Sequence, residues 1–324
     1  MRAVVVREYG EPEVMRVEEV EKPEAEGRRV LIRVVTAGVN PVDTYIRSGL
    51  YAYAPKLPYT PGKDAAGIVE AIGPEVTRFK PGDRVYTAGS ITGTYADYTL
   101  CEEDQVGLLP ANVSFEEGAG IWTPYATAYR ALFQKAKCQA GETLLVHGAS
   151  GGVGIAAIQW AKNSQLNVAG TAGSTDGMEI ATKAGADAVF DHTNEDHFAA
   201  VKNWSAGGVN VIIEMLANEN LERDFECLSM FGRIVVVGSR GSIDFSPRLV
   251  MTKDATIYGM SLFNAPSDDL REIHAAIYEG LAEGFLKPFV VRKFLLEDAP
   301  RAHHEIIESK AFGKIVLDVN SAKE

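Results

Sequence analysis

Cysteine is scarce in this 324-residue chain: Cys101, Cys138 and Cys227 stand isolated, odd in number and without a CxxC spacing. That excludes a disulfide framework and a cysteine-ligated zinc cluster, suits a reducing compartment, and leaves each thiol as a small buried hydrophobe. Net positive charge is missing too. Lys and Arg number 32 against 44 Asp and Glu, a formal charge of −12 that opposes a nucleic-acid or anionic-membrane surface. No apolar run approaches the length of a membrane span, and Met1 leads into the strand-like Arg2–Val6 rather than a signal sequence. The expected location is the cytoplasm, with no membrane partner. Internal repeats, low-complexity tracts and long linkers are also absent. What remains, 46% hydrophobic and 23% charged, is a globular composition with length enough for two domains.

The first hundred or so residues read as short strands parted by Gly and Pro: Val30–Val35, Gly67–Ile72 before Gly73-Pro74, and a turn at Lys80-Pro81-Gly82 opening a strand through Tyr86. Such a texture suggests a partly open β-barrel. From about Glu116 apolar strands alternate with helical stretches: Val168–Ala172, Ala188–Asp191, Val209–Glu214 and Arg233–Gly238. That is the mark of an α/β, doubly wound parallel sheet. An amphipathic helix over Leu270–Glu283 and a strand over Lys314–Val319 close the chain.

Near the middle, an apolar strand (Thr143–Val146) runs into His147-Gly148-Ala149-Ser150-Gly151-Gly152-Val153-Gly154 and out into a helical stretch from Ile155 to Ala161. Strand, glycine turn and helix together lay a pyrophosphate on the positive end of a helix. A glycine pattern alone recurs in many α/β proteins as a plain tight turn; the flanking strand and helix make this a dinucleotide site. The next strand ends Thr171-Ala172-Gly173-Ser174-Thr175, with no acid at its tip to hold a ribose 2′-hydroxyl. The missing carboxylate removes repulsion against a 2′-phosphate, and the hydroxyls of Ser174 and Thr175 can donate to one. NADPH is therefore expected over NADH.

Taken in order, Gly38–Gly49, Pro58–Gly62, Val146–Gly154, Ile213–Asn218 and Val237–Gly241 resemble, from end to end, the zeta-crystallin-type quinone oxidoreductases of the medium-chain dehydrogenase/reductase superfamily. The resemblance implies a GroES-like catalytic domain over residues 1–122, completed by 264–324, and a Rossmann cofactor domain over 123–263. It implies NADPH-dependent quinone reduction at a cleft between them, in a homodimer or homotetramer. It also assigns cofactor contacts. Tyr45, Ser150, Gly151, Gly152 and Val153 would face the nicotinamide half and the pyrophosphate, and Gly173 and His192 the adenosine half. Asn220, Val237, Gly238, Ser239, Arg240, Met260, Ser261, Leu262 and Phe263 would line the rest. Taken alone, His192 reads as a loop histidine capping local backbone, and Arg240 as a solvated turn charge.

Zinc-dependent members carry Cys where this chain has Asn40, and Gly-His-Glu where it has Gly62-Lys63-Asp64. A catalytic zinc needs three soft or imidazole ligands and an open position, which Asn40, Lys63 and Asp64 do not supply. The expectation is a metal-free enzyme, with His303 and His304 a pair on a helix surface. Asn40, Tyr45 and Tyr51 are the residues expected to orient quinone oxygens, with Tyr59 on the pocket wall. Against that stands a structural role, since Asn before Pro41 is a common turn residue and tyrosines often pack half-buried. Two alternatives stay open: reduction of a 2-alkenal or enoyl thioester by the same fold, and a non-catalytic crystallin-like or AU-rich RNA-binding protein. The charge of −12 makes any RNA binding salt-sensitive.

Overall fold

Fifteen strands carry the architecture among the described residues, which in this computed structural model are 1–51, 54–308 and 312–320. In chain order they are β1 (Arg2–Val6), β2 (Met15–Glu19), β3 (Arg29–Val39), β4 (Asp64–Ile72), β5 (Arg84–Thr87), β6 (Tyr98–Glu102) and β7 (Val106–Leu108). There follow β8 (Thr143–Val146), β9 (Asn167–Ala172), β10 (Ala188–Asp191), β11 (Val209–Glu214), β12 (Leu228–Val236) and β13 (Thr256–Gly259), then β14 (Val290–Leu295) and β15 (Lys314–Asp318). They fall into two units, Met1–Thr123 with His274–Glu324, and Pro124–Ile273.

The first unit is built around β3. Its amino-terminal half pairs antiparallel with β6, its carboxyl-terminal half with β15, and β4 runs along its other edge through two bulges. Bulges bend and twist a strand, which lets one long element serve three partners and curl the sheet β14-β15-β3-β4-β5-β7. Because β15 is the last strand of the chain, both chain ends share one core, with Val34, Ala37, Val39 and Ala65 packed on Leu296, Ile315 and Leu317.

The second unit is a six-stranded parallel sheet in the order β10-β9-β8-β11-β12-β13. Counted from its own first strand this is 3-2-1-4-5-6, with the order reversing between β8 and β11. Leu145, Ala169, Ile212 and Ile234 form the buried faces of its central strands, with Phe198 packed on them from a helix. The strand expected at Arg233–Gly238 begins five residues earlier, at Leu228, and stops at Val236, which leaves Val237–Arg240 as loop. The helix after the glycine turn spans Gly152–Asn163.

One expectation fails. Helix Ala299–Glu308 turns Ala299, Ala302, His303 and Ile306 inward at the spacing of one helical face. His303 is fully buried, its Nε2 lies 3.1 Å from the Tyr95 hydroxyl, and burial pushes its pKa down to about 3. Only His304 lies at the surface, 2.6 Å from Glu13. The three cysteines are buried, and burial pushes the Cys101 and Cys138 thiols up to about 12. Among the described residues no helix is long and apolar enough to cross a membrane.

Candidate active site

At the carboxyl end of β8 the chain turns with almost no side chain in the way. Gly148 has φ +57°, and a Cβ on Gly154 would lie 2.4 Å from the Gly148 carbonyl oxygen and 2.7 Å from Ala149 Cα. Backbone cannot yield at such distances, so the helix packs on the turn only because position 154 is glycine. A Cβ on Gly170 of β9 would likewise meet Ala149 Cβ at 2.6 Å. Gly151 caps helix Gly152–Asn163 in extended conformation, and Ser150, Gly151, Gly152 and Val153 are half-buried at the turn while Gly154 is buried. The first helical amides have no partner within the helix, so they form an anion cradle beside half-exposed backbone.

The ends of β9 and β10 bring Gly173 and His192 together. A Cβ at Gly173 would stand 2.5 Å from His192 Nε2, while the His192 amide donates to the Ala172 carbonyl at 3.1 Å. That bond is main chain to main chain, and His192 itself is exposed, with its ring close to Gly173. Ser174 is the N-cap of helix Thr175–Lys183: its hydroxyl oxygen accepts from the Gly177 amide at 3.2 Å, which leaves the hydroxyl proton to donate elsewhere.

Past the switch in strand order, two loops lock together. Asn218 Oδ1 accepts from the Arg240 amide at 2.7 Å and from the Ser239 hydroxyl at 3.3 Å, and a Cβ on Gly238 would meet the Met215 carbonyl oxygen at 2.4 Å. Asn220 reaches back to donate to Glu214 Oε1 at 3.3 Å. Met260, Ser261 and Leu262 are half-buried after β13, and Phe263 is exposed.

In the other unit Asn40 occupies the N-cap position of helix Pro41–Arg47, but its side chain does not cap. Its Nδ2 donates to Asp64 Oδ2 at 3.0 Å, and its Oδ1 accepts from the Lys314 ammonium. Asn40 is only 3% exposed, and both ends of its side-chain amide are engaged, by Asp64 and Lys314. Tyr45 and Tyr51 are half-buried. The Tyr59 hydroxyl is buried without a hydrogen bond, and Tyr59 lines a cavity of about 550 Å³ with Asp43, Ile46 and Lys63.

Sequence reading missed Lys314, which lies 274 residues from Asn40 and 250 from Asp64. Its ammonium sits 3.3 Å from Asp64 Oδ2, and Asp64 also accepts from the Thr123 amide and hydroxyl at 3.1 and 2.7 Å. A lysine thus supplies the cation among Asn40 and Asp64, and this donor set does not fit zinc. Among the described residues, His147, Glu214 and Asp224 also lie close together. There the His147 Nε2 to Asp224 Oδ1 distance is 2.8 Å, a hydrogen bond, whereas ligands on a tetrahedral zinc at ~2.1 Å stand roughly 3.4 Å apart.

Removing one partner of the buried Lys314–Asp64 pair should strand the other's charge. Lys314→Met is expected to cost about 3–5 kcal/mol of stability in chemical denaturation, and adding Asp64→Asn should recover most of it. A single variant as stable as the wild-type chain would show that the pair carries no such charge.

Comparison with known proteins agrees with this architecture. Residues 26–128 match the alcohol dehydrogenase GroES-like domain, and residues 152–279 the zinc-binding dehydrogenase family. The quinone oxidoreductases of Lama guanicoe and Homo sapiens are each 46% identical, covering 98% of this chain and 97% of theirs. Among solved structures, Escherichia coli quinone oxidoreductase complexed with NADPH superposes with a TM-score of 0.90 at 32% identity, covering 98% of this chain and all of that one. An NAD-dependent alcohol dehydrogenase reaches 0.92 at 31% identity over 99% of this chain and 100% of its own, so fold likeness alone does not choose the cofactor. By sequence over nearly its whole length, the chain belongs to the quinone oxidoreductase family of the medium-chain dehydrogenases.

Proposed function

We propose that this protein is an NADPH-dependent quinone oxidoreductase that works without zinc. The observation that carries the reading is the glycine turn, whose walls leave no room for side chains, in a chain similar to quinone oxidoreductases from end to end. The amides of Ser150, Gly152 and Val153 hold the pyrophosphate, while the Gly151 amide donates to the Gly148 carbonyl at 3.0 Å and keeps the turn closed. Ser174 and the exposed ring of His192 meet the 2′-phosphate, and the joined loops Met215–Asn220 and Val237–Arg240, with Met260–Phe263, hold the remainder. When bound, NADPH supplies the reducing equivalents that a quinone accepts readily. The protein's task is to align two planar rings and exclude water. Tyr45 and Tyr51 orient the acceptor's oxygens, and Asn40, fixed by Lys314 and Asp64, sets the helix that carries Tyr45.

Side-by-side turnover of NADPH with an ortho-quinone and with a 2-alkenal tests the acceptor; the expected result is a clear preference for the quinone. Ser174→Asp tests the cofactor. A carboxylate about 6 Å from the 2′-phosphate, screened by solvent, should weaken NADPH about ten- to thirtyfold and leave NADH unchanged. An unaltered NADPH-to-NADH ratio of kcat/KM would place Ser174 away from the 2′-position.

A homodimer completes the proposal. β13 pairs only with β12, so its outer edge is open among the described residues, and edge strands of this kind pair across two-fold axes. Light scattering should return twice the 35.0 kDa chain mass; a monomer at micromolar concentration would refute it.

A further inference from the structure

His147, Glu214 and Asp224 meet directly beneath the point where the strand order reverses, and the cofactor reading leaves them without a task. His147 follows the last residue of β8, Glu214 is the last residue of β11, and Asp224 opens the short helix Asp224–Cys227. All three are buried, Glu214 and Asp224 completely, with a ring nitrogen and one oxygen of each carboxyl within 4.8 Å of one another. His147 Nε2 lies 2.8 Å from Asp224 Oδ1 and 3.5 Å from Glu214 Oε2, and Nδ1 lies 3.3 Å from the buried Thr171 hydroxyl on β9.

Two members, His147 and Glu214, are tied to the roots of cofactor loops. The His147 amide donates to the Ile213 carbonyl as the glycine turn begins. The Glu214 carboxyl accepts from the Leu216 amide and from Asn220, and its carbonyl accepts from the Val237 amide at 2.8 Å and the Gly238 amide at 3.3 Å. Yet Glu214 Oε2 and Asp224 Oδ2 are buried with no N–H donor. One oxygen of each carboxyl lies within 4.8 Å of the other, and a proton carried on one carboxyl and donated to the other would satisfy both.

We propose that His147, Glu214 and Asp224 form a proton-sharing cluster that positions the roots of the cofactor loops and holds one negative charge while a dinucleotide is bound. The proton sits on Asp224, because Glu214 already accepts two donors. His147 is neutral, accepting from Thr171 and donating through Nε2 to Asp224. Burial supports this assignment: it pushes the Asp224 carboxyl up to about 8 and Glu214 up to about 7, and holds His147 below the usual imidazole range. The other groups packed against the cluster are His197, itself lowered by burial, the Phe198 ring with Arg223 over its face, Glu226, and the Cys227 thiol, which burial and Asp224 raise.

The direction of the pH effect follows. A raised carboxyl is protonated below its shifted pKa and ionised above it, so as pH climbs through about 7–8 the cluster releases its proton to solvent. A second negative charge then stands below a turn that must accept phosphates. At roughly 10 Å and an effective dielectric of ~20, one added charge weakens a phosphate ligand about tenfold.

The inference rests on the dinucleotide reading, and one experiment separates them. NADPH binding is followed by its fluorescence from about pH 6.5 to pH 9.5 with wild-type protein and the double variant Glu214→Gln/Asp224→Asn, each checked for a cooperative thermal melt. The wild-type Kd should rise about tenfold, while the folded double variant, with neither carboxyl left to ionise, should stay flat. A flat wild-type profile overturns the cluster's role alone, as does the full wild-type rise in the double variant. Absence of NADPH binding at every pH overturns the cofactor reading and this inference with it.

Discussion

The cofactor half depends on one steric condition: the amino-terminal turn of helix Gly152–Asn163 packs against the Gly148 carbonyl at a distance that excludes a single methyl group. That approach aims the helix's unpaired amides at the space above the sheet and brings them into line with the ends of β8 and β9. The same condition recurs at Gly170, which lets β9 lie against the turn, and at Gly238, which seats one loop on the Met215 carbonyl. Backbone meeting backbone makes the site rigid without adding side chains that would compete with a phosphate.

Charge is the second organising theme, handled differently in the two units. Around Asn40, a buried ammonium answers a buried carboxylate, and the pair fixes the start of a short helix. Beneath the glycine turn, two carboxyls and an imidazole are buried together with no cation in contact among the described residues, and burial raises both carboxyls while lowering the imidazole. The first arrangement places a lysine ammonium between Asn40 and Asp64. The second lies under the part of the site that must tolerate a strongly anionic ligand.

Most of the fold was legible in the sequence because its signals are local. Thr143–Val146 and Ala188–Asp191 appear as strands with the bounds their apolar runs predict, and the glycine turn sits between strand and helix as its spacing requires. β12 extends beyond its sequence signal because Leu228–Gly232 carries exposed Met230 and Phe231, so the burial alternation that marks a strand breaks there. His303 was placed outside because two adjacent polar residues read as surface; position 303 shares a helical face with Ala299 and Ile306, and Tyr95 supplies the buried partner. The candidate site was legible as far as its loops. Lys314 and Asp224 were not, since their partners are distant in sequence and nothing local marks a charged residue as buried. The one available signal was Glu214, an acid closing the apolar run Val209–Ile213 at the point where ligands bind.

The central claim, that the turn after β8 grips the dinucleotide through its backbone amides, is open to direct measurement. Hydrogen–deuterium exchange with and without NADPH should show protection concentrated in residues 147–155, with lesser protection in 215–220 and 237–241. Unchanged exchange across 147–155 at saturating NADPH would contradict the account.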